Sequence, residues 1–127
     1  MSMAADIVTL ELIAAVHQVA ELDHPTYHHI VHRLHTQVAH FEWVGLYLLD
    51  NSNEYVMKAS SGDFISESIA RKAILQIPIT SSCEEVLGRV TVTSRAAIAF
   101  DESDYTSLEA LALEIGKKIE QTLKNHQ

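Results

Sequence analysis

Apolar positions follow a helical period at both ends of the chain. Over 6–22 they recur every three or four residues, which predicts an amphipathic helix. Pro25 ends this pattern because proline disfavours helical geometry in the residue before it. It also suits the first turn of a second helix, predicted over 26–39. The last helix is predicted to begin after Asp101, a good N-cap residue, and to run to the end of the chain.

Between these helices the apolar period becomes an alternation, which is typical of β-strands. Strands are predicted over 41–49, 54–60, 73–79, 85–93 and 96–100, with a short helix over 64–72. Turn-forming residues at 50–53 make the first two strands a hairpin. The fold class is therefore α+β, an antiparallel sheet of about five strands with the N- and C-terminal helices packed on one face. The length predicts a single domain over 1–127.

The alternation also divides the predicted sheet into two faces. The valines of 85–93 would meet the helices, together with Val44, Leu46 and Leu48. The opposite face would be aromatic and polar, with five candidate ligand-binding residues: Trp43, Tyr47, Gln76, Thr91 and Thr93. A mixed face of this kind could hold a small ligand. Alternatively, segment 64–72 packs on the aromatic residues and fills the site, since soluble monomers avoid large exposed aromatic patches.

Composition narrows the classes of partner. The chain has 9 Lys+Arg against 17 Asp+Glu and a formal charge of -8, which excludes a dedicated role in binding nucleic acid and disfavours anionic membranes. No apolar run approaches the ~20 residues that span a bilayer, and the start of the chain lacks the basic region of a signal peptide. We therefore expect a cytoplasmic protein.

Few residues suggest catalysis, and none is assigned a catalytic role. Cys83 is the sole cysteine, so an intramolecular disulfide and a cysteine-built metal site are excluded. Ser81 and Ser82 lie beside it, and the three residues together have the composition of a nucleophile site. A turn is sufficient to explain that composition. Arg89 could bind an anion or be an ordinary surface arginine. No cofactor is expected.

Histidine is concentrated in one region, with seven of the eight histidines between positions 17 and 40. One stripe of the second helix carries His24, His28, His32 and His35. The spacing of His28, His32 and His35 can chelate a transition metal, which makes these three an alternative metal site. The stripe could equally be a solvated helix flank or a pH-sensitive surface. His29 and His40 are expected to point to solvent.

Four segments in this order resemble a GAF domain, the small-molecule sensor module of cyclic-nucleotide phosphodiesterases and phytochromes: 41–50, 74–79, 86–94 and 99–112. The resemblance implies a signalling domain with a sandwich related to those of profilin and PAS domains. Residues 43–48 (WVGLYL) are most similar to the branch that reduces free methionine-R-sulfoxide.

The chain departs from that reductase branch at the positions that carry its chemistry. Only residues 63–74 stand where the family has a long pocket-forming stretch, which in the reductases holds the redox cysteines. Ile74, Thr91 and Thr93 stand where the reductases have acids, and Cys83 matches no family cysteine. A thiol reductase needs a thiolate and normally a resolving thiol. We therefore expect a non-catalytic GAF-like domain, with a reductase of rearranged site as the alternative.

GAF domains often pair through their terminal helices, and this resemblance implies a homodimer. Ile7, Leu10, Leu22 and Leu113 fall outside the core stripes of these helices. A two-fold contact would bury them on both copies. Alternatively, they are isolated exposed apolar residues of the kind most proteins carry.

Overall fold

The computed structural model describes residues 4–62, 73–94 and 100–125. Within these ranges, in chain order, are α1 (Ala5–Gln18), α2 (His24–Gln37), β1 (Phe41–Leu49), β2 (Tyr55–Ser60), β3 (Ile74–Thr80), β4 (Val86–Ser94) and α3 (Glu102–Asn125). The helix predicted at 64–72 lies outside the described residues. So does the strand predicted at 96–100, apart from Phe100, which is in no regular element.

The strands form one antiparallel sheet in the order β2-β1-β4-β3. This confirms the α+β class, but the described sheet has four strands rather than about five. Gly45 of β1 lies opposite Thr91 of β4, which in turn lies opposite Gln76 of β3. Because side chains alternate along each strand, this register fixes which residues share a face.

The helices cover one face of the sheet, as predicted. α2 lies against β1 and β2, α3 lies against β3 and β4, and α1 packs on α3. The core between them is apolar and fully buried, with Leu34, Phe41, Leu46, Ile77 and Ile115 among its largest side chains. The removal of these apolar side chains from water is the main source of stability for the fold.

One residue predicted for the core face is exposed instead. Val86 begins β4, and 42% of its surface is accessible. The pairing of β3 with β4 shifts register between Ile79 and Thr80, next to the position where Val86 pairs. Such irregularities redirect side chains at strand ends, so the alternation that holds for Val90 and Val92 does not extend to Val86.

The ends of the first two helices are set by different contacts. Asp23 caps α2, because its carboxylate accepts hydrogen bonds from Thr26 N at 3.0 Å and Thr26 Oγ1 at 2.6 Å. These bonds lower the pKa of Asp23. α1 ends at Gln18, four residues before the predicted end. There Lys118 Nζ of α3 donates a 2.8 Å hydrogen bond to the carbonyl of Val19.

α3 approaches the sheet closely at its middle. A Cβ atom on Gly116 would lie 1.9 Å from the carbonyl oxygen of Thr80, so only glycine allows this contact. The β3–β4 turn is attached to the same helix, since Ser82 N and Oγ donate to the Glu120 carboxylate at 2.9 and 2.7 Å. Of the helices in the described ranges, none is long and apolar enough to cross a membrane.

Candidate functional site

The candidate ligand-binding residues lie together on the sheet face that is turned away from the helices, which we call the second face. The strand register forms three rows across it. They are Trp43–Thr93–Ile74, Gly45–Thr91–Gln76 and Tyr47–Arg89–Pro78. In the first two of these rows, Trp43, Thr91 and Thr93 are buried, whereas Gln76 is exposed.

Trp43 is held rigidly on this face. Its indole ring lies over Gly45, where a Cβ atom would come within 2.3 Å of Trp43 Cη2. Its Nε1 donates a 2.8 Å hydrogen bond to the carbonyl of Gly62, and only 7% of the residue is exposed. Glycine at position 45 is therefore required to seat the ring, which forms part of the floor of the face.

Thr91 carries a hydroxyl group that the described residues leave unsatisfied. The residue is 5% exposed, and its Oγ1 is buried without a hydrogen-bond partner in those ranges. Most buried polar groups in proteins are paired, so each exception calls for a physical explanation. A hydroxyl in this state can still donate or accept a hydrogen bond.

Arg89 extends across the second face toward β2. Its Cζ lies over two aromatic rings, 4.9 Å from the ring centroid of Tyr47 and 4.2 Å from that of Tyr55. Sequence reasoning did not select Tyr55, because its nearness to Arg89 depends on the order of strands in the sheet. The spacing of two residues between Tyr55 and Met57 in β2 could have indicated that both lie on the same face of the sheet as Tyr47.

Cys83 lies away from the Trp43 end of this face. It is exposed in the β3–β4 turn, beyond the pair Thr80–Val86, whereas Trp43 and Thr93 lie toward the other end of β1 and β4. Its backbone N donates to Ser81 Oγ at 3.2 Å, as expected in a turn. The thiol therefore lies at the end of the sheet opposite to Trp43 and Thr93, and the row that contains Arg89 is the nearer one.

The histidine stripe forms a helix flank. The rings of His28 and His32 stack with centroids 6.1 Å apart and planes 14° apart, and His35 is half-buried with an unpartnered Nδ1. Among the described residues, no three histidine, cysteine or acidic side chains are grouped to hold a metal ion. The expectation that His40 points to solvent is wrong, because its Nε2 lies 2.8 Å from Asp104 Oδ2.

The outer side of α1 and α3 carries the expected apolar residues. Ile7 is 50% exposed, Leu10 69% and Leu113 40%. Leu10 lines a shallow groove of about 250 Å³ between the two helices, which we call the terminal-helix groove. Its lining is Asp6, Thr9, Leu10, Ile13, Thr106, Ser107 and Ala110. Leu22 does not belong to this surface, since it packs against the core.

Known structures share this arrangement of helices and strands. The chain is similar to the GAF domain of an Acinetobacter phosphoenolpyruvate-protein phosphotransferase, with 15% identity and a TM-score of 0.71 over 92% of this chain and 93% of that one. It is also similar to the free methionine-R-sulfoxide reductase of Neisseria meningitidis in complex with its substrate. There the identity is 19% and the TM-score 0.71, over 93% of this chain and 89% of that one.

A third structure, fRMsr of Staphylococcus aureus in its reduced form, has 15% identity and a TM-score of 0.70, with coverage of 94% and 99%. At the level of sequence, the chain matches no family model and no curated protein. The similarity therefore concerns the backbone, and the expected resemblance is confirmed at that level. The chain has a GAF-like fold, shared by GAF domains and free methionine-R-sulfoxide reductases.

Proposed function

We propose that this chain is a non-catalytic GAF-like module that binds a small ligand on the second face of its sheet and acts as a homodimer. The observation that carries the ligand-binding part is the buried, unpartnered hydroxyl of Thr91 beside the aromatic floor formed by Trp43. With a formal charge of -8, the chain would repel nucleic acid and anionic lipid, so a small molecule is the favoured ligand. The location that we propose is the cytoplasm.

A ligand that hydrogen-bonds Thr91 would relieve an unfavourable state of the free protein. Burying a hydroxyl without a partner costs about 1–3 kcal/mol. Because an unpaired hydroxyl lowers stability, a role in binding explains its presence better than a role in the fold. The neighbouring residues fit a ligand with an apolar ring, because Trp43 and Tyr47 lie on the same face.

A matched pair of variants tests whether the Thr91 hydroxyl serves the fold. Thr91→Val removes an unpaired hydroxyl and keeps the shape, so we expect an unchanged or higher free energy of unfolding. Thr9→Val is the control, since Thr9 is 2% exposed and its Oγ1 donates to Ala5 O at 2.9 Å. We expect the control to lower the free energy of unfolding by about 1 kcal/mol. A comparable loss in Thr91→Val would show that its hydroxyl is structural.

Fragment binding tests the ligand site directly. The chain has one tryptophan, so the indole N–H signal of Trp43 in a ¹H–¹⁵N NMR spectrum reports on the second face without ambiguity. We expect small aromatic fragments with a hydrogen-bonding group to shift this signal in a saturable way, and Thr91→Val to weaken their binding. If no fragment moves the signal, or if Thr91→Val leaves every affinity unchanged, the ligand-binding proposal fails.

The homodimer is supported by the terminal-helix groove and the exposed residues around it. Leu10 is the most exposed large apolar residue described, at 69%, and Ile7 and Leu113 are further exposed apolar residues of the same two helices. A contact that places this surface against its own copy would remove all three from water on both subunits. The surface is formed by two helices that already pack on each other, so it is rigid before association.

Sedimentation at increasing protein concentration tests the dimer. We expect the parent chain to associate and Leu10→Glu to remain monomeric, since a charge buried at a two-fold contact is repeated on both copies. Val86→Glu is the control, because Val86 is also exposed and apolar but lies at the start of β4. A monomeric parent chain, or equal association of the two variants, would contradict the dimer.

Reduction of free methionine-R-sulfoxide is the alternative function, favoured by the similarity of fold. It would require Cys83 to act, although this thiol is exposed in a turn at the end of the sheet opposite to Trp43 and Thr93. Turnover of methionine-R-sulfoxide with a thiol reductant, measured in the parent chain and in Cys83→Ser, decides between the two. We expect no turnover in either. Turnover that the substitution abolishes would establish the enzyme.

A further inference from the structure

The arginines of the described residues, Arg33 and Arg89, differ in their partners. Arg33 pairs with Glu11 at 2.6 Å and Lys117 lies 3.6 Å from Glu114. Arg89, by contrast, has no carboxylate partner among residues 4–62, 73–94 and 100–125. Its Nε is buried and makes no hydrogen bond there. A guanidinium group normally uses its five donors, so this side chain has unused binding capacity.

The position of the group is nevertheless fixed. The rings of Tyr47 and Tyr55 lie under Cζ at centroid distances of 4.9 and 4.2 Å, within the range of favourable cation–π contact. Contacts of this kind hold the planar group without occupying its N–H donors, which point outward in the guanidinium plane. The guanidinium is therefore orientated in advance, and less conformational entropy is lost when an acceptor binds.

The neighbours of Arg89 also identify what could bind. Its cross-strand neighbours, Tyr47 and Pro78, are neither acidic nor basic residues, and Tyr55 and Met57 are exposed on the same face. A carboxylate matches the guanidinium fork with two parallel hydrogen bonds. A doubly charged phosphate would be repelled more strongly by a protein of net charge -8. An apolar body with a single carboxylate fits both the charge and the surface.

We propose that Arg89 is the anion-binding residue of the second face and takes the carboxylate of a small organic acid. The inference rests on the proposal that this face binds a small ligand, and it names the chemical class of that ligand. The apolar part of the acid would lie on the aromatic residues, and its carboxylate would accept hydrogen bonds from the guanidinium. No covalent step is involved.

Benzoate is a suitable probe, with benzamide as the neutral molecule of nearly the same shape. Each is titrated into the full chain at constant ionic strength, and the Arg89 Nε–H and Trp43 indole N–H signals are followed by NMR. We expect benzoate to shift the Arg89 signal in a saturable way, and benzamide to bind about tenfold more weakly because it lacks the charge-assisted pair. Inorganic phosphate at the same ionic strength is expected to bind more weakly than benzoate.

Three variants connect this binding to the geometry. Arg89→Gln should abolish the preference for benzoate over benzamide. Arg89→Lys keeps the charge but loses the fork, and should weaken benzoate binding by about tenfold. Tyr55→Leu removes one supporting ring at an exposed position and should weaken it by a smaller factor. Melting of each variant verifies that it is folded.

The outcomes separate this inference from the function on which it rests. If benzoate and benzamide bind equally, or if Arg89→Gln keeps the preference, the anion site is refuted while ligand binding on the face stands. Tighter binding of phosphate than of benzoate would refute the carboxylate class. If neutral fragments shift the Trp43 signal and benzoate shifts neither that signal nor the Arg89 signal, only the inference fails. If no probe shifts it, ligand binding fails as well.

Discussion

His40 Nε2 lies 2.8 Å from Asp104 Oδ2, and this contact joins the turn before β1 to the first turn of α3. Asp104 is 3% exposed and also accepts a 3.1 Å hydrogen bond from Asp101 N, while its own N donates to Asp101 Oδ1 at 2.8 Å. The His40 ring contacts Phe41 edge-on, with centroids 4.8 Å apart. The Asp101 carboxylate thus caps α3, while the Asp104 carboxylate completes the capping box and connects the helix to the residue before β1.

Replacing Asp104 should therefore destabilise the fold more than the loss of an ordinary cap. We expect Asp104→Ala to lower the free energy of unfolding by about 2–3 kcal/mol, because the hydrogen bond from Asp101 N and the contact with His40 are lost together. Denaturant unfolding measures the change. Glu102→Ala is the control, since Glu102 is exposed in the same helical turn and should change stability by a few tenths of a kcal/mol, about the size of a dipole effect. Equal effects of the two substitutions would mean that the contact contributes nothing.

Gly45 should tolerate no side chain while Trp43 keeps its position. In Gly45→Ala the new Cβ would lie 2.3 Å from Trp43 Cη2, so the indole must move and its hydrogen bond to the Gly62 carbonyl must break. We expect a loss of about 2 kcal/mol in stability and a red shift of the tryptophan emission. Gly62→Ala is the control, because a Cβ there meets no atom within 4 Å. An unshifted emission maximum in Gly45→Ala would contradict the seating of the ring.

The strands and their faces could be read from the sequence because they depend on a local period. β1 covers 41–49 as predicted, and the register places Trp43 opposite Thr93 and Gln76 opposite Thr91 on one face. Alternation fixes the face of each residue once a strand is recognised. The roles of these residues remain predictions, since a face can be shared by core and binding residues alike.

Features that depend on distant contacts could not be read in this way. α1 ends early at a site where Lys118, 99 residues further along the chain than Val19, donates to the Val19 carbonyl. The environment of Arg89 depends on the strand order, which brings Tyr55 of β2 across β1 toward β4. The helical period predicts the direction of a side chain only within the helix. His40 lies beyond the end of α2 at Gln37, so its direction could not be predicted in this way. Each case follows from tertiary geometry rather than from periodicity.

Zinc should not stabilise the chain through the histidine stripe. His28 and His32 are stacked, but no third metal-binding side chain joins them among the described residues, and two imidazoles make a weak zinc site. We expect a large excess of zinc to leave the melting temperature unraised, because only a ligand bound preferentially to the folded state raises it. The double variant His28→Ala/His32→Ala is the control. A rise in the parent chain that this variant abolishes would establish the metal-binding alternative.

Tyr27 should make stability fall steeply in alkaline solution. Burial raises the pKa of Tyr27 to about 12, and the charge of Asp23 adds to the rise. An unfolded chain releases this proton near pH ~10. The contribution to stability is therefore fully present below pH ~10 and is lost as the pH rises through about 12, by about 2–3 kcal/mol in all. Tyr27→Phe should flatten this fall when denaturant unfolding is followed at stepped pH, whereas Tyr55→Phe, at an exposed position, should keep the slope of the parent chain. The prediction is wrong if the parent chain and Tyr27→Phe lose stability in parallel.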